Sequence, residues 1–99
     1  MENKLPDRLG KNVLIMTPTL YFMGRVIGED LMHIHLDHCS WIADTGRFHR
    51  IFRDGKPVKG EGGAGPTEVE PQPDDNVTSV CKNVSTIIDW PFPLWREPI

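Results

Sequence analysis

The sequence predicts a mainly β domain: a small closed barrel of five short strands, with one short inserted helix and an extended C-terminal tail. Three observations point there. Nine glycines and nine prolines fall within 99 residues, which opposes long helices and favours short strands joined by turns. The apolar runs are short and rich in β-branched side chains, as strands are. One stretch, Leu31 to Leu36, alternates cleanly between apolar residues and histidine, the period of a half-buried strand.

Taken in order, residues 1–11 are polar apart from Leu5 and Leu9. These two are four apart and suit one helical turn bounded by Pro6 and Gly10. Val13, Leu14, Ile15 and Met16 form a dense apolar run that reads as the first strand, ended by Thr17-Pro18-Thr19. Leu20 to Ile27 is the second. Gly24 inside it marks a sharp bend or a close backbone approach. Gly28-Glu29-Asp30 is a turn. In the third strand Met32, Ile34 and Leu36 point to the core, while His33 and His35 point to solvent or a partner. Trp41 and Ile42 lie in a further short buried piece, 39–43.

Asp44-Thr45 suits a helix cap. Phe48, Ile51 and Phe52 follow at i, i+3 and i+4, one apolar stripe of a helix over 45–54. Arg47, Arg50 and Arg53 fill its other side, and Gly55 stops it. Residues 55–76 hold nine Gly or Pro and five acidic residues. They form a loop with weak extended character around Glu68 to Glu70. So long a loop in a compact domain implies a use for it. Val77 to Lys82 and Val84 to Trp90 read as the last two strands, broken at Lys82-Asn83. Prolines 91 and 93 keep residues 91–99 out of a helix or central strand, so the tail runs extended and presents large apolar side chains. Closure into a barrel removes the exposed strand edges of a flat sheet. The expected core is Val13, Ile15, Val26, Met32, Ile34, Leu36, Trp41, Phe48, Phe52, Val80, Val84 and Ile87.

The length suits one domain, 1–99, with 55–76 a Gly/Pro-rich acidic loop. Eleven Lys and Arg against 14 Asp and Glu give a net charge of −3, without the basic footprint of a typical nucleic-acid binder. Cys39 and Cys81 match no metal spacing. They are either free thiols of a reducing compartment or one disulfide. No apolar stretch suits a signal peptide or approaches the ~18 residues of a membrane span, so the expected location is cytoplasmic.

Gly24-Arg25-Val26-Ile27-Gly28-Glu29-Asp30, followed by the alternation from Leu31 to Asp37, resembles the first motif of the Sm-like family. Here one turn residue is deleted and His33 stands in place of the family's Asn. Val80-Cys81-Lys82-Asn83-Val84-Ser85-Thr86-Ile87-Ile88 resembles the second motif, with Lys82 for its Arg and Asn83 for its Gly. The two places cover about a quarter of the chain. The resemblance implies a five-stranded SH3-like barrel of a kind that commonly forms rings and binds RNA. It also implies that the nucleotide-gripping positions are altered. Trp41-Ile42-Ala43-Asp44-Thr45-Gly46-Arg47-Phe48, with Glu68-Val69-Glu70-Pro71 and Ile88-Asp89-Trp90, resembles a group of short bacterial and phage proteins. That likeness implies that the helix is an insertion specific to the group, and a virion location if the chain is phage-encoded.

Several constellations carry chemistry on paper. His33 and His35 share a strand face and can chelate a metal, with His38, Cys39 or His49 as third ligand. The same residues equally make an exposed polar strand face. A Cys–His nucleophile pair lacks any flanking signature, and Gly60 to Gly65 lacks the Lys-Ser/Thr of a phosphate loop. No enzyme activity, cofactor or metal is therefore expected. Three large aromatics in Trp90 to Trp95 either plug a barrel end or dock on another subunit, as tryptophan does at interface cores. The expected function is structural and non-enzymatic: a homo-oligomer, or a protein docked on a larger particle, with Phe92, Leu94, Trp95, Arg47 and Arg50 at the interface and the tail crossing to the next subunit. The alternative is an Sm-like ring that binds RNA through Tyr21, His33, Lys82 and Asn83. No membrane partner is expected.

Overall fold

Val13, Leu14 and Ile15, consecutive in the first strand, are all fully buried. Neighbouring side chains on a strand point to opposite faces, so this sheet is covered on both sides. That explains why the run carries no polar residue. The computed structural model describes residues 8–45, 48–58 and 67–98; the expected turn at Leu5 and the side chains of Phe48 and Val84 lie outside what is described.

The sheet has six strands: β1 Asn12–Met16, β2 Tyr21–Glu29, β3 His33–Asp44, β4 Glu68–Pro71, β5 Thr78–Cys81 and β6 Thr86–Asp89. One helix, α1 (Phe48–Asp54), lies between β3 and β4, and a 3₁₀ turn (Lys82–Val84) joins β5 to β6. All pairings are antiparallel, in the order β4-β3-β2-β1-β6, with β5 on the first part of β3. The closed five-strand barrel is thus corrected to an open six-stranded sheet. The added strand is β4, from the segment read as loop with weak extended character. The piece 39–43 is no separate unit but the second half of β3. The ladder stays open because β5 and β6 are successive pieces of chain bent apart at the 3₁₀ turn, each paired to a different neighbour.

Two cores result. One face gathers Val13, Ile15, Val26, Ile34, Leu36, Cys39 and Val80, with Phe22 and Ile87 against them. Val80 and Ile87 come from far-apart strands of the ladder, so the sheet curls around this core. The other face gathers Leu14, Met23, Ile42, Ile51, Val69, Trp90 and Trp95, and is covered by α1 and the tail. Both cysteines are free thiols.

Two irregularities divide the strands between these cores. A Cβ on Gly24 would come 3.0 Å from Leu36 Cβ and 3.1 Å from the Asp37 carbonyl oxygen, so β2 approaches β3 too closely for a side chain, as a glycine within a strand suggests. Opposite it, His38 has φ +48°. Its Nδ1 lies 3.2 Å from Asp37 Oδ1 but makes no hydrogen bond. This residue reverses the alternation of β3: Ile34 and Leu36 face the first core before it, and Cys39 does so after it. Beyond it Ile42 turns to the second core and is fully buried, while Trp41 shares the face of Cys39 but lies past the first core and is 42% exposed, outside the expected core. Met32 is also exposed. It belongs to a turn in which Asp30 Oδ1 accepts the backbone N–H groups of Met32 (2.8 Å) and His33 (2.7 Å).

The tail packs on its own sheet. Trp90 makes edge-on contacts with Phe52, Phe92 and Trp95 at centroid distances of 5.6, 5.1 and 5.4 Å, a geometry aromatic pairs favour. Trp95 Nε1 donates to the Gly55 carbonyl at 3.0 Å, and Ser40 Oγ donates to the Trp95 carbonyl at 2.5 Å. Gly55 ends α1 with φ +68° and an N–H···O bond of 2.7 Å to Ile51, and Phe92 lies where its Cβ would be, 2.2 Å from Cγ. Gly55→Ala therefore carries both backbone strain and a clash. Gly10, at φ +80°, has open space where its Cβ would be, so Gly10→Ala carries only the strain, of order 1–2 kcal/mol. Thermal unfolding is expected to show a clearly larger loss for Gly55→Ala; equal losses would mean that Phe92 does not rest on the helix end.

Candidate functional site

The turn between β2 and β3 meets the 3₁₀ turn at one end of the sheet. His33 pairs with Cys81 across β3 and β5, and the Lys82 N–H donates to the Met32 carbonyl at 2.8 Å. Three of the four residues expected at an RNA site, His33, Lys82 and Asn83, are thereby brought together. Tyr21 is not: it opens β2, beside Met16 and Ile42, at the opposite end of that strand, and packs against the second core.

Lys82 is spent inside the protein. Its ammonium lies 2.9 Å from Glu29 Oε1 and donates to the Asp30 carbonyl at 2.9 Å. Glu29 also receives a fork from Arg8, with contacts of 2.6 and 3.2 Å. Burial raises the Glu29 pKa, but the hydrogen bonds and charges of Arg8 and Lys82 together outweigh this and hold it below its usual value. Asp30 is likewise lowered, first by the His33 and then by the Met32 backbone N–H. Both groups contribute stability above the unfolded carboxylate pKa of about 4, and that contribution is lost as pH falls through the lower folded values.

The two histidine rings stack, 6.4 Å apart and 16° from parallel. His35 Nδ1 shares a 2.7 Å hydrogen bond with Ser79 Oγ, and its Nε2 lies 3.4 Å from Asp30 Oδ2. Among the described residues no group of three or more His, Cys, Asp or Glu side chains is placed to hold a metal ion. The rings read as a polar strand face bound to its own neighbours. The turn that precedes them exposes apolar side chains: Leu31 is 76% exposed and Met32 49%, and Leu9 and Ile27 are exposed on β2 and the chain tied to it.

Of the expected interface residues, Trp95 is buried in the second core, and Phe92 and Leu94 are partly buried against it. Within the chain they pack on its own sheet as a plug. Arg96, which sequence reasoning passed over, fastens the plug. Its guanidinium donates to the carbonyl oxygens of Cys39 and Gln72 and to Asp74 Oδ1. Arg50 sits half-exposed on α1; Arg53 beside it forks onto Asp54 at 2.9 and 3.0 Å. Arg47 lies outside the described residues.

No family model, curated protein or solved structure matches the chain. Function must therefore be argued from its surface. Concavities among the described residues include the following two. One, about 490 Å³, runs between the start of β1 and the tail, lined by Lys11, Asn12, Asp89 and Trp90 to Pro93. The other, about 230 Å³, lies over Leu20, Trp41 and Ala43 with Glu68, Val69 and Glu70 along β4. Sequence reasoning placed Trp41 in the core and Glu68 and Glu70 in a loop. The polar–apolar–polar order of Glu68-Val69-Glu70 was the available sign of an exposed strand face. No helix among the described residues is long and apolar enough to cross a membrane.

Proposed function

We propose that the chain is a non-enzymatic assembly module of the Sm-like, SH3-like small-barrel kind, which associates with copies of itself, or with a larger particle, through the β2–β3 end of its sheet. The observation that carries this reading is the placement of exposed apolar side chains. Among the described residues, four of the six exposed large hydrophobics, Leu9, Ile27, Leu31 and Met32, lie on the β2–β3 hairpin or the chain beside it. Gly10 is tied to Val26, and Arg8 to Glu29, which fixes that neighbouring chain in place. Burying such side chains is worth roughly 1.5–3 kcal/mol each, enough for a few of them to hold an interface.

Native mass measurement of the intact chain is expected to show an oligomer. Leu31→Asp with Met32→Asp is expected to reduce it to monomer at unchanged thermal stability, because both side chains already face solvent. A wild-type monomer at high concentration, with no mass change in the variant, overturns self-association.

The alternative, an RNA-binding ring, draws on His33 and Asn83, which are exposed at the same end. Lys82, with its charge held by Glu29, adds little to it. Fluorescence anisotropy with single-stranded RNA at low salt tests that reading, and absence of binding by the assembled protein removes it.

A further inference from the structure

Trp41 is a large aromatic side chain left open in the middle of a strand. The register places Ile87, Ile15, Phe22, Trp41 and Glu70 in one row across β6, β1, β2, β3 and β4. Paired residues share a face, so the row runs from the first core outward, through the indole, to a carboxylate. Glu68, two residues from Glu70, lies on that same side of β4. Both glutamates are exposed, and among the described residues neither carboxylate has a salt-bridge partner. This sets them apart from Glu29, Asp37, Asp54 and Asp74, each of which holds an arginine. Leu20 and Ala43 complete the floor of the groove.

The strand beside the groove ends the ladder. Past Thr67, whose N–H donates to the Val58 carbonyl at 2.9 Å, β4 has no strand partner on its outer side among the described residues, and an extended segment can meet such an edge by adding a strand. An added strand would lie about 5 Å beyond β4 and therefore roughly 10 Å from β3. A side chain from it that reaches Trp41 must be long and must pass between Glu68 and Glu70. Lysine and arginine meet both demands: their stems cover apolar surface while the cation lies over an indole face and beside carboxylates.

We propose that the Trp41–Glu68–Glu70 groove is a docking site for a lysine or arginine side chain, carried by an extended segment of a partner protein that pairs with the free edge of β4. The cation neutralises two carboxylates that have no ion-pair partner among the described residues, and the indole supplies the face on which it rests. The site lies away from the β2–β3 hairpin, so it is independent of the assembly surface proposed above.

The test titrates the full chain with a nine-residue threonine–valine peptide carrying one central arginine. The comparison peptide carries citrulline, the neutral isostere. Binding is read by calorimetry at low salt and by the shift of the Trp41 indole N–H resonance. The citrulline peptide is expected to bind at least about tenfold more weakly, the range of a desolvated cation–aromatic contact. Glu68→Gln with Glu70→Gln is expected to weaken the arginine peptide and flatten its salt dependence, while the folded state is unchanged. Trp41→Ala loses binding and Trp41→Phe retains most of it. Leu31→Asp with Met32→Asp leaves the titration unchanged, which separates this proposal from the assembly reading. Equal binding of both peptides, or no saturable binding of the arginine peptide, overturns the proposal. So does a fall in oligomer mass on Trp41→Ala, which assigns the groove to a second copy.

Discussion

Replacing Trp95 with alanine is expected to lower the unfolding free energy by about 3–5 kcal/mol, the usual cost of removing a large aromatic from a packed core. Small domains are stable by only about 5–15 kcal/mol, so the variant would sit near the edge of folding. The reason is specific. The indole is buried against Trp90, its Nε1–H bonds the end of α1, and its main chain is gripped by Ser40. Truncation removes both the packing and the donor that satisfies Gly55. Removing residues 91–99 takes Arg96 as well, and is expected to leave a chain that does not fold cooperatively in a urea titration. A cooperative transition of the truncated chain near the wild-type midpoint would show that the tail is an accessory. Trp41→Ala is the control: with its indole already partly in water, it is expected to cost far less.

Ile34→Asp has an effect as large on the other face. Ile34 is fully buried in the first core, and a carboxylate there lies among aliphatic side chains without a partner. Burying an unpaired charge costs more than such a domain can bear, so insoluble or unfolded protein is the expected result. His33→Ala, one residue away on the opposite side of the strand, removes only an exposed ring and is expected to shift the melting temperature little. A folded Ile34→Asp variant would mean that the alternation of β3 has the wrong phase.

That phase was legible because His33 to Leu36 obeys a period of two without interruption, although Met32, placed in the core by the same pattern, is exposed in the turn. Legibility ended at His38. A histidine at positive φ leaves no mark in an apolar pattern, yet it reverses the side chains beyond it, turning Ile42 to the second core and Trp41 to the far end of the first core's face. Leu14 carried a readable clue: apolar residues at three consecutive strand positions imply two covered faces. What covered the second face was harder to find. The tail looked like material for a partner because proline excludes it from regular structure, and the aromatic content of Trp90 to Trp95 fits a plug and an interface equally well. Only the position of Gly55, beneath Phe92, decides between them in this fold. The candidate groove was hidden for the same reason as β4. Its two glutamates sit in a Gly/Pro-rich stretch, and the strand is recognisable chiefly by what it pairs with. Pro71 is compatible with that place, since proline is tolerated on an edge strand.

The plug has a bearing on synthesis. A ribosome makes all six strands and α1 before it makes residues 91–96. Until those residues emerge, Leu14, Met23, Ile42 and Ile51 form an open apolar surface on a sheet whose first strand also waits for its partner, β6. Val13 joins Asp89 across most of the chain, and such distant pairings close slowly. The nascent chain therefore exposes this apolar surface until residues 91–96 emerge, and their aromatic side chains are what close it.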